Sequence, residues 1–481
     1  MLSSKIAVKS DEVADATSNH ASLHRELPFV CWEGALANVF IVLTGGAFLT
    51  GVALYLGAGD FEIGLLGAIP FFAQTVQLLA AYVIDRWGRR KQITLLASLL
   101  ARQLWWLLIP LLFISQSWRL TAFLVLVILS SIAIMIATPG WLSWMADLFP
   151  ARIRGRVFGS RSAAVATATV SATVLGGLIL DHFHRLHHEA TGFATLIAMA
   201  CLFALAAVLL QRVVSDRPMP GRDSRLSLAA LLKPLRNVEF RRLLRVFFMW
   251  NLAIGISAAF FAPHMLTNLK MNFTQISLYS SAVSLAAVGL NKPWGKVIDR
   301  FGAKPVIVFC AFGISVIPIV WLFPRPDFRW ILGIEAIYTG ALWTGFNLAA
   351  FNMPLAHSPN RSRTTYLAVF SVATGIAFFL ASLSGGILAE WLAPIHWHVG
   401  SQTVVNYHIL FVISAFLRLA AAFMFVGFHE PREQGVPVMI QFMGYAFLKR
   451  ITVGRPLLPF GLKQQIENGL GIHHINKAVD Q

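Results

Sequence analysis

Four ionisable side chains, Arg102, Lys292, Glu335 and Arg418, fall inside long runs of Leu, Ile, Val, Ala and Phe, and chemistry would concentrate there. A charge in such surroundings costs about 2.5–3.5 kcal/mol on membrane-insertion scales, so each one needs a partner or a water-filled cavity. Glu335 is the only carboxylate well inside such a run. A carboxyl group there takes up and releases a proton as its surroundings change, or else serves as a fixed partner for a neighbouring helix. Lys292, preceded by Asn291, either meets an anionic group or snorkels toward a headgroup region. Arg102 and Arg418 read as packing or hydrogen-bonding groups. Glu33, beside Trp32, reads as an acid at a helix N-terminus, with a gate carboxylate as the other option.

Uncharged groups in the same runs form a second tier: Asn38, Gln74, Gln77, Trp141, Trp144, Asn251, Tyr338, Trp343 and Asn347. Amides among them would either hold a small polar ligand or bond between helices, the latter worth only about 0.6 kcal/mol on average. His182, His184, His187, His188, His396 and His398 cluster in two connections. Imidazoles bind zinc or copper, but with no cysteine beside them they read as solvated loop residues, and no metal or other cofactor is expected.

Composition dictates what must position these groups. Hydrophobic residues make up 57% of the 481 and charged residues 13%, about half the charged share of a soluble chain, so lipid has to be the main solvent. Helical crossings need about 20 apolar residues each, and twelve such spans are predicted: 32–56, 61–84, 93–115, 120–146, 157–180, 191–213, 246–268, 275–298, 305–324, 329–354, 365–391 and 403–427. The runs are continuous rather than alternating, which excludes a β-barrel.

The formal net charge of +17 would suit nucleic acid, but its distribution argues otherwise. Basic residues gather in the tails and in the loops after even-numbered spans, as in Arg86, Arg89, Arg90 and Lys91, then Arg152, Arg154, Arg156 and Arg161. Such asymmetry places both termini in the cytoplasm and attracts anionic lipid, leaving no case for nucleic acid. Cys31, Cys201 and Cys310 lie in or beside apolar runs and suggest no disulfide framework. No phosphate-binding Gly-x-x-x-x-Gly-Lys-Ser/Thr loop and no Ser-His-Asp grouping within the spans is present, so neither ATP hydrolysis nor another enzymatic activity is expected.

The chain also repeats itself. Asp85-Arg86-Trp87-Gly88-Arg89-Arg90 returns as Asp299-Arg300-Phe301-Gly302-Ala303-Lys304 at an offset of 214, as Gln77 returns as Asn291. At an offset of 209, Pro150, Arg152, Arg154, Gly176-Gly177 and Asp181 answer Pro359, Arg361, Arg363, Gly385-Gly386 and Glu390. Six spans separate the copies, so the halves insert in the same sense, a parallel repeat about the membrane normal. The division expected is a tail at 1–31, a six-helix bundle at 32–213, a linker at 214–245, a second bundle at 246–428 and a tail at 429–481. Leu231, Leu232 and Leu235 in the linker, and the segment VMIQFMGYAFLKRI in the tail, suit helices lying on the membrane surface.

Twelve spans in two halves, with the loop pattern Gly-x-x-x-Asp-Arg/Lys-x-Gly-x-Arg/Lys, resemble the major facilitator superfamily of secondary transporters. The second copy, Gly295 to Lys304, matches fully, whereas the first has Ala81 in place of the leading glycine. The resemblance implies an all-α membrane protein of two six-helix bundles, with spans 1, 4, 7 and 10 lining a central cavity. It implies that Asp85 holds the start of span 11, with Arg86 and Arg89 completing a charge cluster that breaks when the gate opens, that Asp299 and Arg300 do likewise against span 5, and that Gly88, Arg90, Gly295, Gly302 and Lys304 complete the two gate motifs. Membership would make the chain a monomeric transporter of a small solute in the inner or plasma membrane, working by alternating access; Glu335 favours protons as the coupling ion in symport, with antiport or uniport as the other options. A sensor or lipid-handling protein on the same fold is the rival reading.

Overall fold

The computed structural model describes residues 26–149, 151–216, 233–359, 363–395, 397–399, 402–427 and 435–443; the side chains of 151–154, 363–364, 399 and 402 lie outside that description. The N-terminal tail up to residue 25, most of the linker, Arg361, His396 and the chain beyond 443 also lie outside it.

Long helices account for nearly everything. The first half holds α1 (Glu26–Tyr55), α2 (Asp60–Trp87), α3 (Arg90–Leu111), α4 (Arg119–Leu148), α5 (Ala151–Arg185) and α6 (Glu189–Val213). The second half holds α7 (Val238–Asn268), α8 (Phe273–Phe301), α9 (Ala303–Val320), α10 (Ile331–Ala356) and α11 (Arg363–Trp391). A small antiparallel hairpin, β1 (Trp397–Val399) with β2 (Gln402–Val404), leads to α12 (Asn406–Val426). Eleven of these helices are long and apolar enough to cross a membrane. The other, α10, has 26 residues, about 39 Å at the α-helical rise, and its apolar character is diluted by Glu335, Asn347 and Asn352.

Helix ends account for most departures from the predicted spans. Helix α7 begins at Val238, eight residues before the predicted span and inside the stretch assigned to the linker, because Asn237 caps it, accepting from the backbone N–H groups of Glu239 and Phe240 at 3.0 and 3.2 Å. Helix α5 runs to Arg185, so His182 and His184 stand on its last turn rather than in a loop. A short helix, α13 (436–443), covers part of the segment expected on the membrane surface. One face of it packs against the bundle, with Met439 fully buried and the Phe442 ring 5.2 Å from that of Phe301.

The two loop motifs share a backbone solution. Gly88, ending α2, has φ +65°, and Gly302, between α8 and α9, has φ +91°. Both values lie where a Cβ is strained, so glycine is what lets the chain reverse between consecutive helices there. One buried apolar cluster runs through both halves, a smaller one surrounds Trp144, and the largest fully buried side chains include Trp144, Trp250 and Trp321.

Candidate functional site

With both described chain ends at one face, the contacts given between the halves gather at the opposite face. There α2 crosses α11 and α5 crosses α8. Ser382 Oγ donates to the Gly64 carbonyl at 2.8 Å, and the rings of Phe71 and Phe378 stack 3.7 Å apart. Asp60, opening α2, accepts from Asn406 Nδ2 at 2.6 Å and from the Tyr407 hydroxyl at 2.5 Å. Asp181, ending α5, accepts the N–H groups of Phe273 and Thr274 at 2.9 Å each. Those amides open α8, where unpaired donors and the helix dipole favour a carboxylate. At the terminal face, by contrast, α5 and α8 show exposed Ser160, Ser162, Asn291, Lys292 and Lys296.

Beneath the closed seam α1 breaks. Thr44 and Gly45 leave the helix, and the chain resumes it at Gly46, which has φ +52°. Helix α7 is interrupted at the corresponding depth, at Ala259–Phe260, before a π-helical turn over His264–Asn268. A cavity of about 410 Å³ lies against both breaks, lined by Ile41, Thr44 and Gly45 of α1, Gly67 and Pro70 of α2, Ser131 and Met135 of α4, and Ala259 and Ala262 of α7. A second, of about 180 Å³, continues around α1 to Thr173 of α5 and Ser277 and Ser280 of α8. Space shared by both halves, bounded by broken helices and mostly apolar walls, is where membrane carriers hold solute.

The sequence pattern of the Major Facilitator Superfamily matches residues 34–263 and 252–458. The chain belongs to the major facilitator superfamily. Among solved structures, a mutant form of nucleoside transporter NupG aligns with TM-score 0.65 and 14% identity over 85% of this chain and 100% of its own. A D-xylose-proton symporter aligns with TM-score 0.62 and 15% identity over 84% and 97%. The xylose transporter XylE from E. coli, in an inward open conformation, aligns with TM-score 0.61 and 15% identity over 87% and 99%. No curated protein sequence matches. Membership makes the chain a multi-pass membrane transporter rather than an enzyme.

Asp85 is exposed and forms no ion pair among the described residues; Arg86 donates to the Tyr82 hydroxyl at 3.1 Å. Arg90 is the buried member, pairing with Asp147 and, at 3.1 Å, with Asp216. Beside it Lys91 donates to the Val214 carbonyl at 2.6 Å. The first motif therefore ties α3 to α4 and to the segment after α6, within one half. In the second, Asp299 is exposed and Arg300 lies 4.3 Å over the Phe442 ring of α13.

Interior candidates separate in the same way. Glu335 is 3% exposed, accepting from the Tyr279 hydroxyl at 2.6 Å and from Thr339, with the Trp321 ring 5.6 Å from that of Tyr279. It sits among α8, α9 and α10, away from the residues lining the two cavities. Asn38 donates to Thr169 at 2.5 Å and Gln77 to Met135 Sδ at 3.0 Å, tying α1 to α5 and α2 to α4. Asn251 bonds back to Phe247 of its own helix at 2.8 Å. Gln74 marks a kink in α2 after Pro70. Trp343 packs on Phe346, and Asn347, Asn291 and Lys292 are exposed. Arg418 donates to Ser257 Oγ at 3.1 Å, consistent with the packing expected of it.

Sequence reasoning missed two groups. Asp60 and Asp181 act across the seam, and for Asp181 the only signal was its repeat partner Glu390, itself exposed. Arg161, assigned to a loop, stands inside α5 and meets Glu33. Replacing Asp181 tests the seam directly. In a chain whose three native cysteines are replaced, thiol labelling at Ser277→Cys is expected to rise roughly tenfold on adding Asp181→Ala, because losing a helix cap costs about 0.5–2 kcal/mol.

Proposed function

We propose that this chain is a secondary active transporter that carries a small solute by alternating access, and that the conformation described is the one open to the terminal face. The seam carries this reading: Asp60, Gly64, Asp181 and Ser382 join the halves at one end while α5 and α8 present exposed polar side chains at the other. Basic loops mark the terminal face as cytoplasmic by the positive-inside rule, so the state is inward-facing and the host is the inner or plasma membrane. Exposed Asp85 and Asp299 suit gate groups that engage the starts of α11 and α5 when that face closes. The chain acts as a monomer, each copy containing both halves and the cavity between them.

Relatives of this fold carry a nucleoside in one case and D-xylose with a proton in another, so fold alone does not select the solute. Proton coupling is assigned to Glu335. A carboxylate buried at 3% exposure with two hydroxyl donors is costly to keep ionised, and rearrangement of Tyr279 and Thr339 would change its hold on a proton. Flux into proteoliposomes should be measured across a panel of solutes with and without a pH gradient. For one proton per solute, each pH unit supports up to about tenfold accumulation. Glu335→Gln is expected to retain downhill flux and lose that accumulation; an unchanged proton dependence would remove Glu335 from the coupling role.

A further inference from the structure

The first half holds a buried charge cluster whose signs do not balance. Glu33 on α1 is 3% exposed and Arg102 on α3 is 6% exposed. Arg161 on α5 brings Nη2 to 3.4 Å from Glu33 Oε2. Its guanidinium lies against α1 in the room left by Gly34, where a Cβ would stand 2.7 Å from Nε. The same guanidinium lies 4.5 Å over the Trp141 ring of α4. Arg102 is within electrostatic reach of both Glu33 and Arg161. Among the described residues, Arg102 Nε and Nη1 and Arg161 Nε are buried and donate to nothing. Two guanidiniums therefore share one carboxylate.

A guanidinium taken from water is compensated only by acceptors that match its fork of donors. Arg418, equally deep in the other half, donates from both terminal nitrogens, to Ser257 and the Ile314 carbonyl, and among the described residues leaves Nε alone without an acceptor. Arg102 leaves both Nε and Nη1 without one. The Arg161 side chain, at 22% exposure, is the accessible member, and its contact with Glu33 is a single long one. A second carboxylate arriving from solvent would meet Arg161 first, since Arg102 is only 6% exposed. Glu33 would then be free to turn to the unpartnered donors of Arg102, and the cluster would hold two anions for two cations.

We propose that Glu33, Arg102 and Arg161 form an anion site that receives the carboxylate of a singly charged organic solute. The inference rests on the transporter reading above and gives its solute class. Arg161 and the face of Trp141 make the first contact. Glu33 is the internal anion that the solute displaces, and Arg102 is the positioning residue that accepts Glu33 when it moves.

The test uses the purified full chain with acetate, lactate and benzoate as organic probes, chloride as the inorganic one and benzamide as a neutral counterpart. Binding is read from thermal stabilisation and tryptophan fluorescence at matched ionic strength, and flux from the same solutes in proteoliposomes. At least one carboxylate is expected to stabilise the wild type where benzamide and chloride do not. Glu33→Gln removes the competing anion and should tighten that binding at least about tenfold; Arg102→Gln should weaken it by a similar factor. If Arg102→Gln does not fold, the isosteric Glu33→Gln decides alone. Stabilisation by chloride only, or carboxylate affinity unmoved by Glu33→Gln, overturns the proposal. Flux of a neutral solute that is indifferent to Glu33→Gln and Arg102→Gln overturns the anion site while leaving transport intact. Absence of flux for every solute of either charge would instead overturn the transporter reading.

Discussion

Gly64→Leu is expected to lose the conformation closed at this seam and with it nearly all transport. At this crossing the backbones of α2 and α11 touch: a Cβ on Gly64 would stand 2.6 Å from Gly386 Cα and 2.7 Å from the Ser382 carbonyl oxygen. Neither obstacle can rotate aside, since both are main chain. Overpacking within a core commonly costs about 1–3 kcal/mol when side chains can adjust; a clash against backbone sits at the upper end or above it. A cost of about 3 kcal/mol is a factor of more than about 100 in population, so the seam parts and the equilibrium passes to conformers closed at the terminal face. Spin labels at Ser162 of α5 and Lys296 of α8, both exposed at that face, should then report a shorter distance than in the wild type. Flux should fall at least about a hundredfold. Distances and flux both unchanged would mean that this crossing does not control the cycle.

The same crossing shows what hydropathy and repetition reveal and what they conceal. Gly176-Gly177 and Gly385-Gly386 were visible as repeat partners, and their positions follow from the pseudo-twofold relation: Gly177 packs on Phe273 and Ser277 of α8 as Gly386 packs on α2. Architecture was legible because crossing a bilayer imposes length and apolarity on each helix, and both are one-dimensional properties. The break at Thr44–Gly45 was not. An apolar run looks continuous to hydropathy whatever its φ values, so 32–56 read as one span even though Gly46 turns the chain at φ +52°. Arg161 was grouped with the basic loop although the predicted span 157–180 contains it. Arg154 and Arg156 lower the local hydropathy before that span, but the helix runs through all three from Ala151, carrying Arg161 back over Gly34. Glu335 was found because a lone carboxylate in an apolar run is conspicuous. Its partner Tyr279 lies 56 positions away on another helix, which no local pattern announces.

Arg90 provides the second large effect, and the direction depends on which partner is removed. The Arg90 side chain is 1% exposed, whereas those of Asp147 and Asp216 are 55% and 22% exposed. Burial therefore falls almost wholly on the cation. Arg90→Met replaces it with an apolar chain of similar reach and leaves two carboxylates that water already partly solvates, so the expected loss is modest, about 1–2 kcal/mol. Asp147→Asn combined with Asp216→Asn takes two carboxylates from the buried charge of Arg90, with Ser143 still accepting through its hydroxyl and carbonyl. Removing carboxylate partners from a buried charge in this way costs on the order of 3–5 kcal/mol. Thermal unfolding of the purified protein should therefore rank the aspartate double variant well below Arg90→Met. Combining all three changes should recover stability toward that of Arg90→Met, since no buried charge then remains at the site. The opposite ranking would show that the carboxylates, rather than the guanidinium, bear the burial cost at the junction of α3, α4 and the segment after α6, and that the basic run after α2 serves orientation in the membrane more than cohesion of the half.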